Sequence, residues 1–278
     1  MRIAICFSGQ IRTGPITAPN ILRYIGDLLP NCDFFVHTWS TESKGTGVAN
    51  RIGVSSITED IHTTAPVNKS VFAEFYAMYN PTAMVVEEYD LVPTKPIWGG
   101  RRLNPRTGRY YVSMWESMYE SNLLKMTYAQ KNQLTYDYTV RIRPDIVFAE
   151  GKSLREDIAL LTDANTFAFG DHYNIWPSYN MHRLEDIFFI GPTPVMDKIA
   201  YYHEAYINMV SNTDKPSEPG YEDWQWHSAK WITHSLGLRF RALDNNQMRI
   251  YSDIDVTEGN DPLNPGFGNP PGSYKAKQ

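Results

Sequence analysis

The densest chemistry in the chain lies in the run Tyr136-Asp137-Tyr138-Thr139-Val140-Arg141-Ile142-Arg143-Pro144-Asp145-Ile146-Val147-Phe148. Strand alternation puts Tyr138, Val140 and Ile142 on one face and Thr139, Arg141 and Arg143 on the other, with Asp145 just past Pro144. Arginines turned into a sheet-and-helix interior cost several kcal/mol each unless carboxylates or a bound anion compensate them. Pro144 has no N–H for a central ladder, so it ends the strand. Asp145 is therefore expected at the strand's C-terminal end, where open α/β sheets bind their ligands. Two cations and one carboxylate there suit a phosphorylated substrate, with or without a metal. The plainer alternative is an internal ion pair of Arg141 with Asp145, with Arg143 capping a neighbouring helix.

Other candidates gather at other strand ends. Ser8-Gly9-Gln10-Ile11-Arg12-Thr13 follows a first strand; Gly9 permits close approach of a ligand to backbone, and Arg12 could meet phosphate bidentately. The run is neither G-x-G-x-x-G nor a Walker loop, and a plain turn with a surface arginine fits it as well. His37-Thr38-Trp39 closes the second strand on the same crevice. Trp39 would flank a base or sugar there, or both residues are simply core. Glu185-Asp186 opens a later strand, and its acids point to opposite faces, so at most one enters a site. Glu222-Asp223 sits in the first turn of an expected helix, where the helix dipole favours acids by itself; near a sugar-phosphate pocket such an acid would also serve as a base. His172, His182, His203, His227 and His234 have no metal-ligand spacing, and neither H-E-x-x-H, a cysteine zinc site nor a G-x-S-x-G elbow occurs.

These residues need a framework. At 278 residues, 42% hydrophobic and 21% charged, the chain fits one large α/β domain with ample core. A net charge of −5 argues against non-specific nucleic-acid binding. No apolar run approaches a membrane span, and Met1–Phe7 is too short for a signal-peptide core. Cys6 and Cys32 fall in expected buried strands and read as reduced, so the chain looks cytoplasmic. Strands are expected over 2–8, 32–38, 83–88, 136–143, 166–170, 185–191, 239–243 and 248–251, and helices over 16–29, 68–79, 112–133, 194–209 and 221–236. Long loops are expected over 40–56 and 90–109. The β-α-β-α-β-α-β order predicts a mixed, mostly parallel sheet with helices on both faces. Residues 1–150 would form a nucleotide-binding half, 151–258 the other half of one domain, and 259–278 an irregular Gly/Pro-rich tail.

Three runs together, Phe7 to Thr13, Asp33 to Trp39 and Tyr136 to Asp145, resemble microbial and viral glycosyltransferase-like proteins with the GT-A nucleotide-sugar fold, and Glu185 to Gly191 extends the likeness. The resemblance implies transfer of a sugar from a UDP- or GDP-sugar to a glycan acceptor. It also implies a Rossmann-related GT-A sheet, with donor contacts from Ser8, Gly9, Gln10, Arg12, His37, Trp39, Arg141, Arg143 and Asp145. The family's Asp-x-Asp element holds Mn²⁺ or Mg²⁺ on the diphosphate. Here position 143 is arginine, so Asp145 alone is left as the metal ligand, and Arg141 and Arg143 could neutralise the diphosphate instead. Asp223, Asp186 or Glu222 would take the acceptor proton if the reaction inverts. The His172 to Tyr179 loop would receive the acceptor. A sugar-phosphate nucleotidyltransferase and a non-catalytic nucleotide- or glycan-binding module are the alternatives.

Overall fold

Ile3–Ser8 (β1) is buried along its whole length, as a strand covered on both faces must be. The computed structural model describes residues 1–44, 63–88, 105–170, 187–205, 231–243, 248–250 and 261–263. β1 pairs in parallel with Cys32–Trp39 (β2) on one side and Tyr138–Ile142 (β6) on the other. Ala83–Glu87 (β5) adds in parallel beyond β2. Beyond β6, Phe188–Pro192 (β9) runs antiparallel, followed by Thr166–Gly170 (β8) and Arg239–Leu243 (β10), giving the seven-stranded order β10-β8-β9-β6-β1-β2-β5. This is the mixed, mostly parallel sheet that the β-α-β order predicts. The C-terminal ends of β1, β2, β5 and β6 therefore share one edge, and Phe188, opposite Ile142, brings the start of β9 to it. Two antiparallel pairs complete the strands: Thr41–Lys44 (β3) with Thr63–Pro66 (β4), and Ile146–Phe148 (β7) with Met248–Ile250 (β11).

Alternation divides the side chains between two cores. Ile3, Ile5, Phe7, Phe34, Val36, Val140 and Ile142 face Gly14–Ile25 (α1) and Lys69–Tyr79 (α2). Gly14 lets these two helices touch, since a Cβ there would lie 3.0 Å from the Phe75 ring. α2 starts on the Asn68 side chain, which accepts the Ser70 N–H (3.1 Å), and stops at left-handed Asn80. The other sheet face is covered by Pro105–Lys131 (α3) and Thr193–Ala200 (α5). Trp39, Met118, Trp115, Phe167, Phe169 and Phe189 pack there. Ser113, Ser117 and Ser121, spaced four apart, put one small-residue row of α3 in the interior.

Several boundaries differ from expectation. α3 begins at Pro105, inside the expected 90–109 loop. The first helix ends at Gly26 (φ +59°), and a 3₁₀ helix, Gly26–Asn31, leads into β2. A short helix, Leu154–Ala159 (α4), starts on the Ser153 side chain. Of the 221–236 helix, the described part is a single π-type turn, Trp231–Ser235. The described part of the tail is tied down: Pro262 O accepts from Asn20 Nδ2 (2.8 Å) and Leu263 O from Arg23 Nη1 (2.6 Å).

Candidate functional site: an arginine cluster at two strand ends

Beyond β1 the backbone turns sharply. Gly9 takes φ +109°, and Arg12 takes φ +44°, left-handed space that side-chain-bearing residues seldom enter. This turn and the end of β6 are bound to each other at three levels. Arg141 Nε donates to Ser8 Oγ (2.6 Å) and its Nη2 to Ser8 O (3.4 Å). Arg12 Nη1 donates to Asp145 Oδ2 (3.2 Å), and Arg12 Nε to Gln10 Oε1 (3.0 Å). Thr17 Oγ1, one turn into α1, donates to Pro144 O (2.5 Å). Ser8, Gly9, Gln10, Arg12, Arg141, Arg143 and Asp145, distant in sequence, thus form one cluster at the C-terminal edge of the sheet.

The ion pair at this edge is not the Arg141–Asp145 pair of the plainer alternative. Asp145 pairs with Arg143, not Arg141: Arg143 Nε donates to Oδ1 (2.9 Å) and Nη2 to Oδ2 (2.7 Å). The fork geometry explains why, because a guanidinium presents two parallel N–H groups that match both oxygens of one carboxylate. Burial alone would raise the Asp145 carboxyl, but Arg143 and Arg12 outweigh it and hold it below the ordinary carboxylate range. The arrangement fits a divalent metal poorly. The Asp145 side chain is 1% exposed, and both its oxygens accept from guanidinium groups. Among the described residues, no three His, Cys, Asp or Glu side chains are grouped to hold a metal.

His37 and Trp39 lie under the edge rather than on it. His37 is 0% and Trp39 2% exposed, so both rings are buried. Their rings meet edge to face at 4.9 Å. His37 Nδ1 lies 2.9 Å from Ser117 Oγ, and Nε2 faces Glu87 Oε2 at 3.4 Å. Burial pulls the His37 pKa down, with Glu87 opposing. Nearby on α3, burial and then Glu87 and Glu120 push the Glu116 carboxyl up to about 7.

Two supports escaped sequence reasoning. Ser117 Oγ accepts the Gly9 N–H (2.7 Å), so α3 holds the turn from below. Asn20 pairs its amide with both backbone groups of Phe148, N–H to Oδ1 (2.7 Å) and O to Nδ2 (3.0 Å), fixing α1 to β7. The available signal was a polar residue within an apolar helix face: Asn20 sits beside Ile21 and Tyr24, all buried. The candidate bases Asp186, Glu222 and Asp223, and the His172 to Tyr179 loop, lie outside the described residues.

No protein-family model matches the chain, and no curated protein sequence does. Among solved structures it is similar to the glycosyltransferase GlyE of Streptococcus pneumoniae TIGR4, at 8% identity over 88% of this chain, with TM-scores of 0.37 for the apo form and 0.40 for a second structure. The chain spans 45% of GlyE. It is also similar to a glycosyltransferase involved in glycosylation of the major capsid of PBCV-1, at 9% identity, over 88% of this chain and 84% of that one, with a TM-score of 0.36. Likenesses this distant say nothing of substrate or chemistry, which the strand ends have to supply. No helix among the described residues is long and apolar enough to cross a membrane.

Proposed function

We propose that this protein is a glycosyltransferase that moves a sugar from a nucleoside-diphosphate donor to a glycan acceptor. The observation that carries the reading is that Arg141, bonded to Ser8, and Arg12 and Arg143, bonded to Asp145, all lie where the ends of β1 and β6 are tied together. Such sheet edges are where α/β folds take their ligands. Guanidinium groups recognise phosphate oxygens bidentately and stay charged at any working pH. The left-handed turn at Gly9 lets a ligand approach the backbone without meeting a Cβ, as a diphosphate requires. The likeness of Phe7–Thr13, Asp33–Trp39 and Tyr136–Asp145 to GT-A sequences points the same way.

In this reading the acceptor oxygen attacks the anomeric carbon as the bond from that carbon to the β-phosphate oxygen breaks. The acceptor proton passes to a carboxylate, Asp223, Asp186 or Glu222. The nucleoside diphosphate leaves with the negative charge that the arginines stabilise. No step is assigned to a metal on Asp145. The test is release of nucleoside diphosphate from a panel of UDP-, GDP- and CDP-sugars, with Arg141→Met as control. Diphosphate release that Arg141→Met abolishes supports the transferase, and pyrophosphate release from a nucleoside triphosphate with sugar phosphate would replace it with a nucleotidyltransferase. The commitment of Asp145 to arginines favours one second reading, a nucleotide- or glycan-binding module without turnover. Binding of a nucleotide sugar that is never cleaved would establish it.

A further inference from the structure

The carboxylate that the family pattern gives to a metal is walled in by cations. Asp145 Oδ1 accepts from Arg143 Nε, and Oδ2 accepts from both Arg143 Nη2 and Arg12 Nη1. A divalent ion on either oxygen would have to displace a guanidinium or sit against two like charges with little water to screen them. The two arginines come from different segments. Arg143 follows β6, whereas Arg12 belongs to the turn after β1 and stands 133 positions from Asp145. The backbone of Arg12 is left-handed, a conformation that costs free energy and persists only when the surroundings determine it. Its guanidinium is held by the Asp145 carboxylate and the Gln10 amide oxygen. Asp145 therefore does for two arginines what a metal would do for two carboxylates, bringing like charges from separate segments to one place.

We propose that Asp145 is the positioning residue of an arginine receptor for a diphosphate, aligning Arg12 and Arg143, and that the diphosphate binds with no divalent ion on Asp145. The identity of the anion rests on the nucleotide-sugar reading above; the receptor itself does not. Inorganic pyrophosphate and, separately, UDP, GDP and CDP are titrated calorimetrically into the full chain in EDTA and in Mn²⁺, with binding of Mn²⁺ alone followed by electron paramagnetic resonance. Referred to free pyrophosphate, after its own chelation by Mn²⁺ is subtracted, the affinity should agree within about twofold between EDTA and Mn²⁺. Arg12→Gln should weaken pyrophosphate by about tenfold or more in both, the loss expected for one charge-assisted hydrogen bond. Asp145→Asn should weaken it comparably, measured on the folded fraction, without removing a Mn²⁺ signal. A purely structural role for Asp145 would shift the melting temperature and leave the affinity of folded protein unchanged. Should Asp145→Asn not fold, Arg12→Gln decides the matter. The proposal is overturned if Mn²⁺ raises pyrophosphate affinity tenfold and Asp145→Asn abolishes that gain, if Arg12→Gln has no effect in EDTA, or if pyrophosphate does not bind. Arginine-dependent pyrophosphate binding with no nucleotide binding keeps the receptor and sinks the nucleotide-sugar reading. Nucleotide binding indifferent to Arg12→Gln does the reverse.

Discussion

Replacing Ser117 by alanine should damage the protein out of proportion to the one oxygen removed. Ser117 Oγ accepts the Gly9 N–H (2.7 Å), meets His37 Nδ1 (2.9 Å) and donates to His37 O (3.2 Å). The contact with Nδ1 forms in either tautomer, because the hydroxyl can accept there or donate. Alanine would leave Nδ1 of a fully buried ring without its hydroxyl partner, and the Gly9 N–H with water at best. Each orphaned buried group costs about 1–3 kcal/mol, and the partly accessible Gly9 N–H falls at the low end, so the loss should be about 2–4 kcal/mol. For a domain of this size that corresponds to a fall in melting temperature of about 4–16 °C. Ser121→Ala is the matched control. It is equally buried, one helical turn further on, but its hydroxyl donates back to Met118 O of its own helix (3.0 Å). Losing that bond orphans no donor, and the change should stay within about 0.5 kcal/mol. Thermal denaturation followed by circular dichroism measures both. If the two variants melt within about 1 °C of each other, the claim that α3 props the Gly9 turn through Ser117 is wrong.

Other consequences can be checked alongside. Gly170→Ala would drive a Cβ into Met248 Sδ where β11 crosses the end of β8; overpacking of this kind costs about 1–3 kcal/mol, read from urea midpoints, and Met248→Ala should relieve part of it. Asp197→Ala would leave Lys125, 1% exposed and paired to Asp197, as a buried uncompensated cation, at about 3–5 kcal/mol; Asn122, which donates to the same carboxylate (3.0 Å), loses that acceptor and keeps Met126 Sδ (3.4 Å). Glu116 binds its proton in the folded state up to about 7, whereas unfolded it releases it near 4.5. Between those values the unfolded chain holds fewer protons, so this group makes stability fall as pH rises, and Glu116→Gln should flatten that slope. Asp145 acts in the opposite sense: its depressed folded pKa contributes stability above the ordinary carboxylate range, lost as pH falls through the folded value. Urea midpoints from pH 3 to 8 separate the two, the first at the neutral end and the second at the acid end.

What could be read from the residues was mostly what alternation encodes. Val140 and Ile142 face one core while Arg141 turns to the other side, as a period of two requires, and Pro144 interrupts the chain between β6 and β7. The sheet edge that gathers Ser8, Arg12, Arg141, Arg143 and Asp145 follows from the parallel order of β1 and β6. Partner choice within it was not legible, because Arg12 reaches Asp145 only through a left-handed turn that nothing in its residue type announces. His37 and Trp39 were ambiguous for a related reason. A strand that ends at a ligand edge and a strand that runs under a helix have the same composition, and only the position of α3 decides between them. β3 and β4 escaped notice because Thr41–Lys44 and Thr63–Pro66 are short and polar, without the apolar alternation that marks a half-buried strand. α4 did carry a signal, the Ser-x-x-Glu run Ser153 to Glu156, in which Ser153 Oγ accepts the Glu156 N–H (3.4 Å).

Whether the ends of β1 and β6 receive the diphosphate of a nucleotide can be read from calorimetric titration of UDP, GDP and CDP into the wild-type chain and Arg141→Met. One nucleotide should bind selectively, and Arg141→Met should weaken it by about tenfold or more while the protein stays folded. Absence of binding by all three nucleotides, or binding that Arg141→Met leaves untouched, would contradict it.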